Sequence, residues 1–255
     1  AAKRMSEATG HKASTIHRLL EVSGGGDEVT ADDLSARFGR NEQNPLETDV
    51  IIVDEMSIVD TFLMHALLKA ITIGTRVVFV GDVNQLASVG PGNVLKDIID
   101  SGQVPVVRLN RIFRQAQGSR IIMNAHRINK GEGIDMRGGK DADFFFAPKE
   151  SNQDVVNTIV QYCKTNLPRY YHVDPLQDIQ VLTPMQRGEC GAINLNQVLQ
   201  EAMNPSKIFL RRGGTQYRLN DKVMQIRNDY EKEVFNGDIG TITKVDMEER
   251  ELTVL

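Results

Sequence analysis

The sequence predicts an α/β fold built on a parallel sheet, followed by part of a second α/β unit and the start of a small β-barrel. Three observations carry that expectation. Val50-Ile51-Ile52-Val53 and Arg76-Val77-Val78-Phe79-Val80 are short β-branched runs separated by a stretch of helical apolar spacing, the pattern of a βαβ unit. Strand-like and helix-like stretches then alternate up to residue 203, as expected for an α/β chain. From about residue 205 the pattern changes to short alternating segments around Asn220-Asp221, Asn236-Gly237-Asp238 and Gly240. Asn236-Gly237 is a strong tight-turn signal, because both residues tolerate positive φ.

In chain order, residues 3–8 read as a helix, and 14–20 (STIHRLL) as a second short one with Ser14 as its cap. Residues 23–48 are polar and Gly-rich, with a weak strand around 36–38, and read as a hairpin or loop. Val50–Val53 reads as a buried strand. Ile58, Phe62, Met64, Leu67, Leu68 and Ile71 share one face of an amphipathic helix over 58–71. The strand at 76–80 then returns parallel through a right-handed crossover. Helices at 93–101 and 119–128 flank a strand at 104–109. The Gly-rich, charged stretch 129–143 breaks the pattern and marks a domain boundary. The expected organisation is a first domain over 1–135 with an insertion at about 22–48, the first part of a second domain over 136–204, and the start of a barrel over 205–255. In the second domain 144–146 and 179–183 read as strands, and 154–165 and 191–203 as helices.

Composition narrows the function classes. The chain has 255 residues, 40% of them hydrophobic and 25% charged, ordinary for a soluble globular protein. No apolar run approaches the roughly 20 residues that a membrane span needs. Cys163 and Cys190 give neither a disulfide framework nor metal-ligand spacing, which reads as reduced thiols in a cytosolic protein. The histidines are scattered. With a formal net charge of −4, any nucleic-acid site must be a local basic strip.

The chemistry concentrates in residues 49–55 (DVIIVDE) and 81–85 (GDVNQ). An apolar strand that ends in two adjacent carboxylates needs a reason, because burying unpaired charge is costly. The carboxyl end of a parallel sheet supplies one, since ligands bind there. Asp54 is then placed to hold Mg²⁺ and Glu55 to orient or deprotonate an attacking water. Gln85, after the neighbouring strand, is placed to sense a γ-phosphate. This is the hydrolytic half of a nucleoside-triphosphatase. The blander reading makes Asp54-Glu55 a cap for the following helix. Asp82 reads as a turn residue, Gly90-Pro91-Gly92 as turn formers, and Asp60 and Asp97 as surface charges on helices. No phosphate-cradling G-x-x-x-x-G-K-[ST] loop is present. The Gly139-Lys140 pair is followed by Asp141, and in Gly10-His11-Lys12 a residue intervenes. With Ala1-Ala2-Lys3-Arg4 opening in mid-pattern, the expectation is a fragment of a larger protein.

Further segments sharpen the reading: RLNRIFRQ (108–115) and VLTPMQRG (181–188), each following a strand-like run, and GDVNQLASVGPG (81–92). With DVIIVDEMSIVD (49–60) and AAKRMSEATGHKASTIHRLL (1–20), they stand in the order of the superfamily 1 DNA helicases, and the chain resembles the RecD-like 5′→3′ helicases over essentially its whole length. The resemblance implies RecA-like motor domains and an SH3-like insertion. It makes 49–60 the Walker B motif, 81–92 the motif III loop, and 108–115 the segment carrying an arginine finger, with 181–188 opening the second motor domain. It implies ATP and Mg²⁺ as cofactors, with Asp54 serving the metal, Glu55 the hydrolytic water and Gln85 the coupling of γ-phosphate to DNA. Arg114 would stabilise transition-state charge from the inter-domain cleft, a role suited to a planar, permanently charged guanidinium. Lys3, Arg4, Thr15 and His17, with Thr183 and Arg187, would contact single-stranded DNA, and 22–47 would be the strand-separating pin. The late motifs of the second motor domain are missing downstream. The implied partners are single-stranded DNA, single-strand/duplex junctions and subunits of a nuclease–helicase complex, in a bacterial cytoplasm and without a membrane. Two rivals stay open: an RNA-directed superfamily 1 helicase, and a nucleic-acid-binding or assembly module whose ATPase has decayed.

Overall fold

A computed structural model describes residues 2–22, 38–109, 118–139, 142–229, 232 and 234–255. They fall into two compact units, Ala1–Phe145 and Phe146–Leu255.

The first unit opens with α1 (Ala2–Thr9) and α2 (Ile16–Leu19). Thr15, not Ser14, caps α2, its side chain accepting the Arg18 N–H. β1 (Val50–Val53) pairs in parallel with β2 (Arg76–Phe79), Val50 opposite Arg76 and Val53 opposite Phe79. The connection holds a 3₁₀ turn (Met56–Ile58) and α3 (Thr61–Lys69). The single helix expected over 58–71 is thus shorter. Asp60 accepts the Leu63 N–H and starts α3, so it is a half-buried N-cap rather than a surface charge on a helix. α4 (Val94–Asp100) follows, and α5 (Arg120–Asn129) is capped by Ser119.

β1 is buried on one face only. Ile51 and Val53 are 7% and 5% exposed, whereas Val50 and Ile52 are 47% and 52% exposed. Successive side chains point to opposite faces of a strand, and the inward set packs with Met56, Val59, Met64, Leu67 and Leu95 into one core with Leu20, Phe38 and Leu46. The expectation of a buried strand at Val50–Val53 is therefore corrected to a strand buried on one face. The run at 104–109 forms no ladder among the described residues, and neither do 144–146 and 179–183. β-Branched residues favour extended backbone, but a strand exists only with a hydrogen-bonded neighbour, which local propensity does not specify.

The second unit begins with α6 (Asn152–Gln161), capped by Ser151. It continues through a π-helical turn (Tyr162–Asn166) into α7 (Leu167–Tyr171). In that turn the Leu167 N–H reaches back to the Tyr162 carbonyl. Pro168, with no N–H to donate, sits just beyond, where a regular ladder is already interrupted. α8 (Ala192–Met203) leads into five short strands. β3 (Phe209–Arg212) and β4 (Thr215–Arg218) form an antiparallel hairpin. β5 (Lys222–Met224), β6 (Ile239–Asp246) and β7 (Glu251–Val254) form a three-stranded antiparallel sheet around the fully buried Ile242. The expected turn at Asn236-Gly237 is present, with Gly237 at φ +93° and its N–H on the Gln225 carbonyl.

A buried polar cluster ties α8 to the strands. Asp221, 9% exposed, accepts from the Asn204 amide at 2.7 Å, the Gln200 amide at 2.5 Å and the Arg218 N–H at 2.7 Å. The Arg218 guanidinium donates to the Asn204 carbonyl, and Gln200 also donates to the Gln216 carbonyl. Both oxygens of the Asp221 carboxylate accept within the unit, which is the condition for burying a charge at tolerable cost.

Candidate catalytic edge of the parallel sheet

The parallel register brings the ends of β1 and β2 to one edge, so Asp54 and Glu55 emerge beside Val80, Gly81 and Asp82. Two backbone bonds continue the pairing past the strands: Val80 N–H to the Val53 carbonyl at 2.8 Å, and Met56 N–H to the Val80 carbonyl at 3.0 Å. Between them the chain must turn out of β1 into the 3₁₀ turn. Glu55 makes that turn in the left-handed region, at φ +57° and ψ +40°. A non-glycine residue there is strained by about 1–2 kcal/mol. The close approach also constrains Gly81: a Cβ on it would lie 2.8 Å from Leu95 Cδ2 and 3.1 Å from the Met56 nitrogen.

Asp54 and Glu55 are both half-buried, and among the described residues neither carboxylate is hydrogen-bonded or ion-paired. Glu55 makes no side-chain cap bond to the following turn, so the capping explanation of the acidic pair loses its support at that residue. Two adjacent carboxylates with free oxygens suit a hard divalent cation and its waters. Asp82 is a turn residue as expected, its carboxylate accepting the Asn84 N–H at 2.9 Å. Gln85 is exposed, and its N–H closes the same turn on the Asp82 carbonyl. The loop then runs to residues 90–92, which lie against the start of α3. Thr61 donates both its N–H and its hydroxyl to the Pro91 carbonyl, each at 2.9 Å. Gly90 and Gly92 are more than turn formers, because Asp60 and Thr61 occupy the space a side chain would need. Sequence reasoning missed this docking. Asp60-Thr61 directly ahead of an apolar run is a helix-start pattern, which marks the cap but not the loop that docks on it.

The remaining candidates are distributed. Lys3 and Arg4 are exposed on α1. Thr15 caps α2. His17 is exposed, its ring centroid 6.5 Å from that of Phe38 at a 40° tilt. In the second unit Thr183 donates its hydroxyl to the Cys190 carbonyl at 2.8 Å. Arg187 is exposed in the loop that folds back over α8, where Ala192 and Ile193 donate to the Met185 and Gln186 carbonyls. Arg114 and most of the expected pin lie outside the described residues. Among the described residues no group of His, Cys, Asp and Glu is clustered to hold a metal by itself, and no helix is long and apolar enough to cross a membrane.

A parallel sheet whose carboxyl edge carries an acidic pair is the architecture of a P-loop-type α/β domain, and the AAA domain family matches residues 1–143. Residues 195–255 match the ATP-dependent RecD-like DNA helicase SH3 domain. The chain belongs to the RecD-like superfamily 1 helicases. It is 33% identical over 246 residues to the ATP-dependent RecD2 DNA helicase of Deinococcus radiodurans, an alignment covering 96% of this chain and 31% of that protein. It is 28% identical over 242 residues to the RecBCD enzyme subunit RecD of Mycolicibacterium smegmatis, covering 92% of this chain and 42% of the subunit. The chain thus spans from just under a third to under a half of the length of these relatives. A solved Pif1 helicase from Bacteroides, in complex with ADP-AlF3 and ssDNA, aligns with 98% of this chain and 61% of its own at 14% identity and a TM-score of 0.44.

Proposed function

We propose that this chain is part of the motor of an ATP-dependent DNA helicase, which translocates 5′→3′ on single-stranded DNA, unwinds duplex and serves DNA repair or recombination. The observation that carries the reading is the strained Glu55 beside Asp54, at the edge where β1 and β2 end together. Strain of this kind persists where surrounding structure holds it, and it gathers at functional sites. The free carboxylates fit Mg²⁺, which when bound with ATP would neutralise developing phosphate charge. Asp54 would hold the metal. Glu55 would orient the attacking water and accept its proton. Gln85, on the loop docked to α3, would report the state of the γ-phosphate to the DNA-binding surface. Arg114 would donate to the transferring phosphoryl oxygens. Lys3, Arg4, Thr15, His17, Thr183 and Arg187 would contact the DNA strand. Polarity and the association with a nuclease complex rest on the RecD-like resemblance alone.

The test is ATP hydrolysis by the whole protein that carries this chain, with and without single-stranded DNA, for wild type and Glu55→Gln. DNA-stimulated turnover that Glu55→Gln abolishes, with ATP and DNA binding retained, is the expected result. Equal turnover in the two proteins would overturn the role of Glu55. Stimulation by RNA but not by DNA of matched sequence would favour the RNA-directed reading. DNA binding without hydrolysis in either protein would favour a binding module.

A further inference from the structure

The acidic chain carries a basic hairpin in its second unit that the motor residues do not use. From Lys207 to Arg218 there are four cations and no carboxylate: Lys207, Arg211, Arg212 and Arg218. The nearest acid that follows, Asp221, is buried and saturated by Gln200, Asn204 and the Arg218 N–H, which withdraws its charge from the surface. Arg218 is held inward on the Asn204 carbonyl. Lys207, Arg211 and Arg212 are exposed, and none of them forms an ion pair with a described residue. Unpaired surface cations without counter-charges in a chain of net −4 are a local field of the kind that attracts an anion.

The geometry adds donors to the charge. β3 and β4 turn through Gly213-Gly214, both at positive φ (+56° and +84°), the two-residue hairpin loop whose twist matches the strands. Nothing lies within 4 Å of where a Cβ would stand on either glycine, so another backbone can approach the tip. Arg212 is paired across the hairpin with Thr215, and Arg211 with Gln216. The distal half is therefore guanidinium, hydroxyl, amide and bare peptide, with no apolar side chain. Arg211 is steadied over the Phe209 ring, 5.4 Å from its centroid. The base of the hairpin is fixed to α8 through Gln200–Gln216 and Arg218–Asn204. A rigid mount reduces the ordering cost of binding.

We propose that the tip of this hairpin, residues 211–216, is a phosphate-contacting site for the backbone of single-stranded DNA, an inference that rests on the helicase reading above. Arg212, on the face of Thr215, and Arg211, on the face of Gln216, supply charge-assisted hydrogen bonds to phosphate oxygens from the two sides of the tip. Thr215 Oγ1 and the Gly214 N–H supply neutral ones. Such contacts fix the strand's position and carry no sequence information. They add an anchor on the segment that matches the RecD-like SH3 domain, separate from the residues assigned to the motor domains.

The experiment measures binding of a fluorescent oligothymidylate to the whole protein by anisotropy over a range of salt concentrations. Arg211→Ala/Arg212→Ala is expected to weaken binding on the order of tenfold and to flatten the slope of log K against log salt by about 1.4, two cations at roughly 0.7 each. The charge-retaining Arg211→Lys/Arg212→Lys should keep the slope. Lys244→Ala, which removes a cation of the same segment already paired with Asp246 at 3.2 Å, should bind as wild type does. An alanine pair with wild-type affinity and slope would overturn the hairpin assignment and leave a solvated or protein-facing surface. Equal weakening by Lys244→Ala would also overturn it, by showing a general charge effect. A wild-type protein that binds no single-stranded DNA would instead bring down the helicase reading, and this inference with it.

Discussion

Gly90 and Asp60 meet so closely that a Cβ on Gly90 would lie 2.0 Å from Asp60 Oδ2 and 2.7 Å from its Cβ. Asp60 is not free to move aside, because it caps α3 through the Leu63 N–H at 2.8 Å. The loop that carries Gln85 is thereby seated on the helix that connects β1 to β2. Gly90→Ala should destabilise the first unit by about 1–3 kcal/mol, the usual cost of forced overpacking. Asp60→Ala should cost about 1 kcal/mol through loss of the cap. Urea unfolding with an unchanged m-value would measure both. A Gly90→Ala protein as stable as wild type would mean that the loop lifts away from α3 at no cost.

Arg114 belongs to RLNRIFRQ, outside the described residues, and its role comes from the helicase resemblance. If it stabilises charge that exists only in the transition state, Arg114→Ala should lower kcat by about 10³–10⁵ while nucleotide affinity changes little. Steady-state hydrolysis beside fluorescent-nucleotide titration separates the two effects. A matching loss in both would remove Arg114 from the transition-state role.

Part of each unit was legible because its signals are local. The helix start at Ser119 follows from a hydroxyl ahead of an apolar period, and the turn at Asn236-Gly237 from the φ tolerance of its residues, whereas α6 begins at Asn152, two residues before the expected start at 154. The acidic pair at the end of β1 was legible because two carboxylates after four β-branched residues conflict with burial. Three other features were not legible. Residues 104–109 hold three valines but also Pro105, which has no N–H to give a ladder, and pairing depends on a partner distant in sequence. The one-sided burial of β1 depends on which elements cover the sheet. The docking of Gly90 on Asp60 joins residues thirty apart, a relation that no local pattern encodes.

Asp221 should be the most sensitive polar residue of the second unit. Its removal would take the acceptor of the Arg218 N–H and one acceptor each from the Asn204 and Gln200 amides, which keep the Leu219 and Gln216 carbonyls. Asp221→Ala should therefore cost about 2–4 kcal/mol, from lost bonds to a charged acceptor and from a donor left unsatisfied. Asn204→Ala should cost less, since Gln200 and Arg218 would still serve the carboxylate. Thermal melts of the two variants would rank them, and the opposite order would mean that Asn204 rather than Asp221 organises the cluster.

Asp143 closes the start of α5. It accepts the Ser119 hydroxyl at 2.5 Å and the Arg120 N–H at 2.8 Å, and these bonds hold its carboxyl below the ordinary carboxylate range, the Ser119 bond most strongly. A folded-state pKa below the unfolded value gives a contribution that is complete above the unfolded pKa and is lost as pH falls through the folded one. Stability of the first unit should therefore decline as pH drops below about 4. Asp143→Asn, which keeps the shape and removes the titration, should flatten that decline. Melting temperatures from pH 3 to 7 would show it, and parallel curves for the two proteins would assign the acid sensitivity elsewhere.

Glu55 presents the sharpest separation of stability from function. Its backbone sits at φ +57°, ψ +40°, and its side chain makes no bond to a described residue. Replacing it by glycine removes the left-handed strain of about 1–2 kcal/mol and adds roughly 0.4–1 kcal/mol of chain entropy to the unfolded state. Glu55→Gly should therefore fold as stably as wild type or up to about 1.6 kcal/mol more so, the margin between those two terms. The same substitution deletes the carboxylate assigned to the hydrolytic water, so DNA-stimulated ATP turnover of the whole protein should fall to background. Glu55→Gln would lose turnover without the gain in stability, because glutamine keeps the strained backbone. A residue retained for folding would show the reverse, with Glu55→Gly destabilised and turnover falling only with the folded fraction. Urea unfolding and ATPase assays on the same two variants distinguish a strained catalytic residue from a structural one.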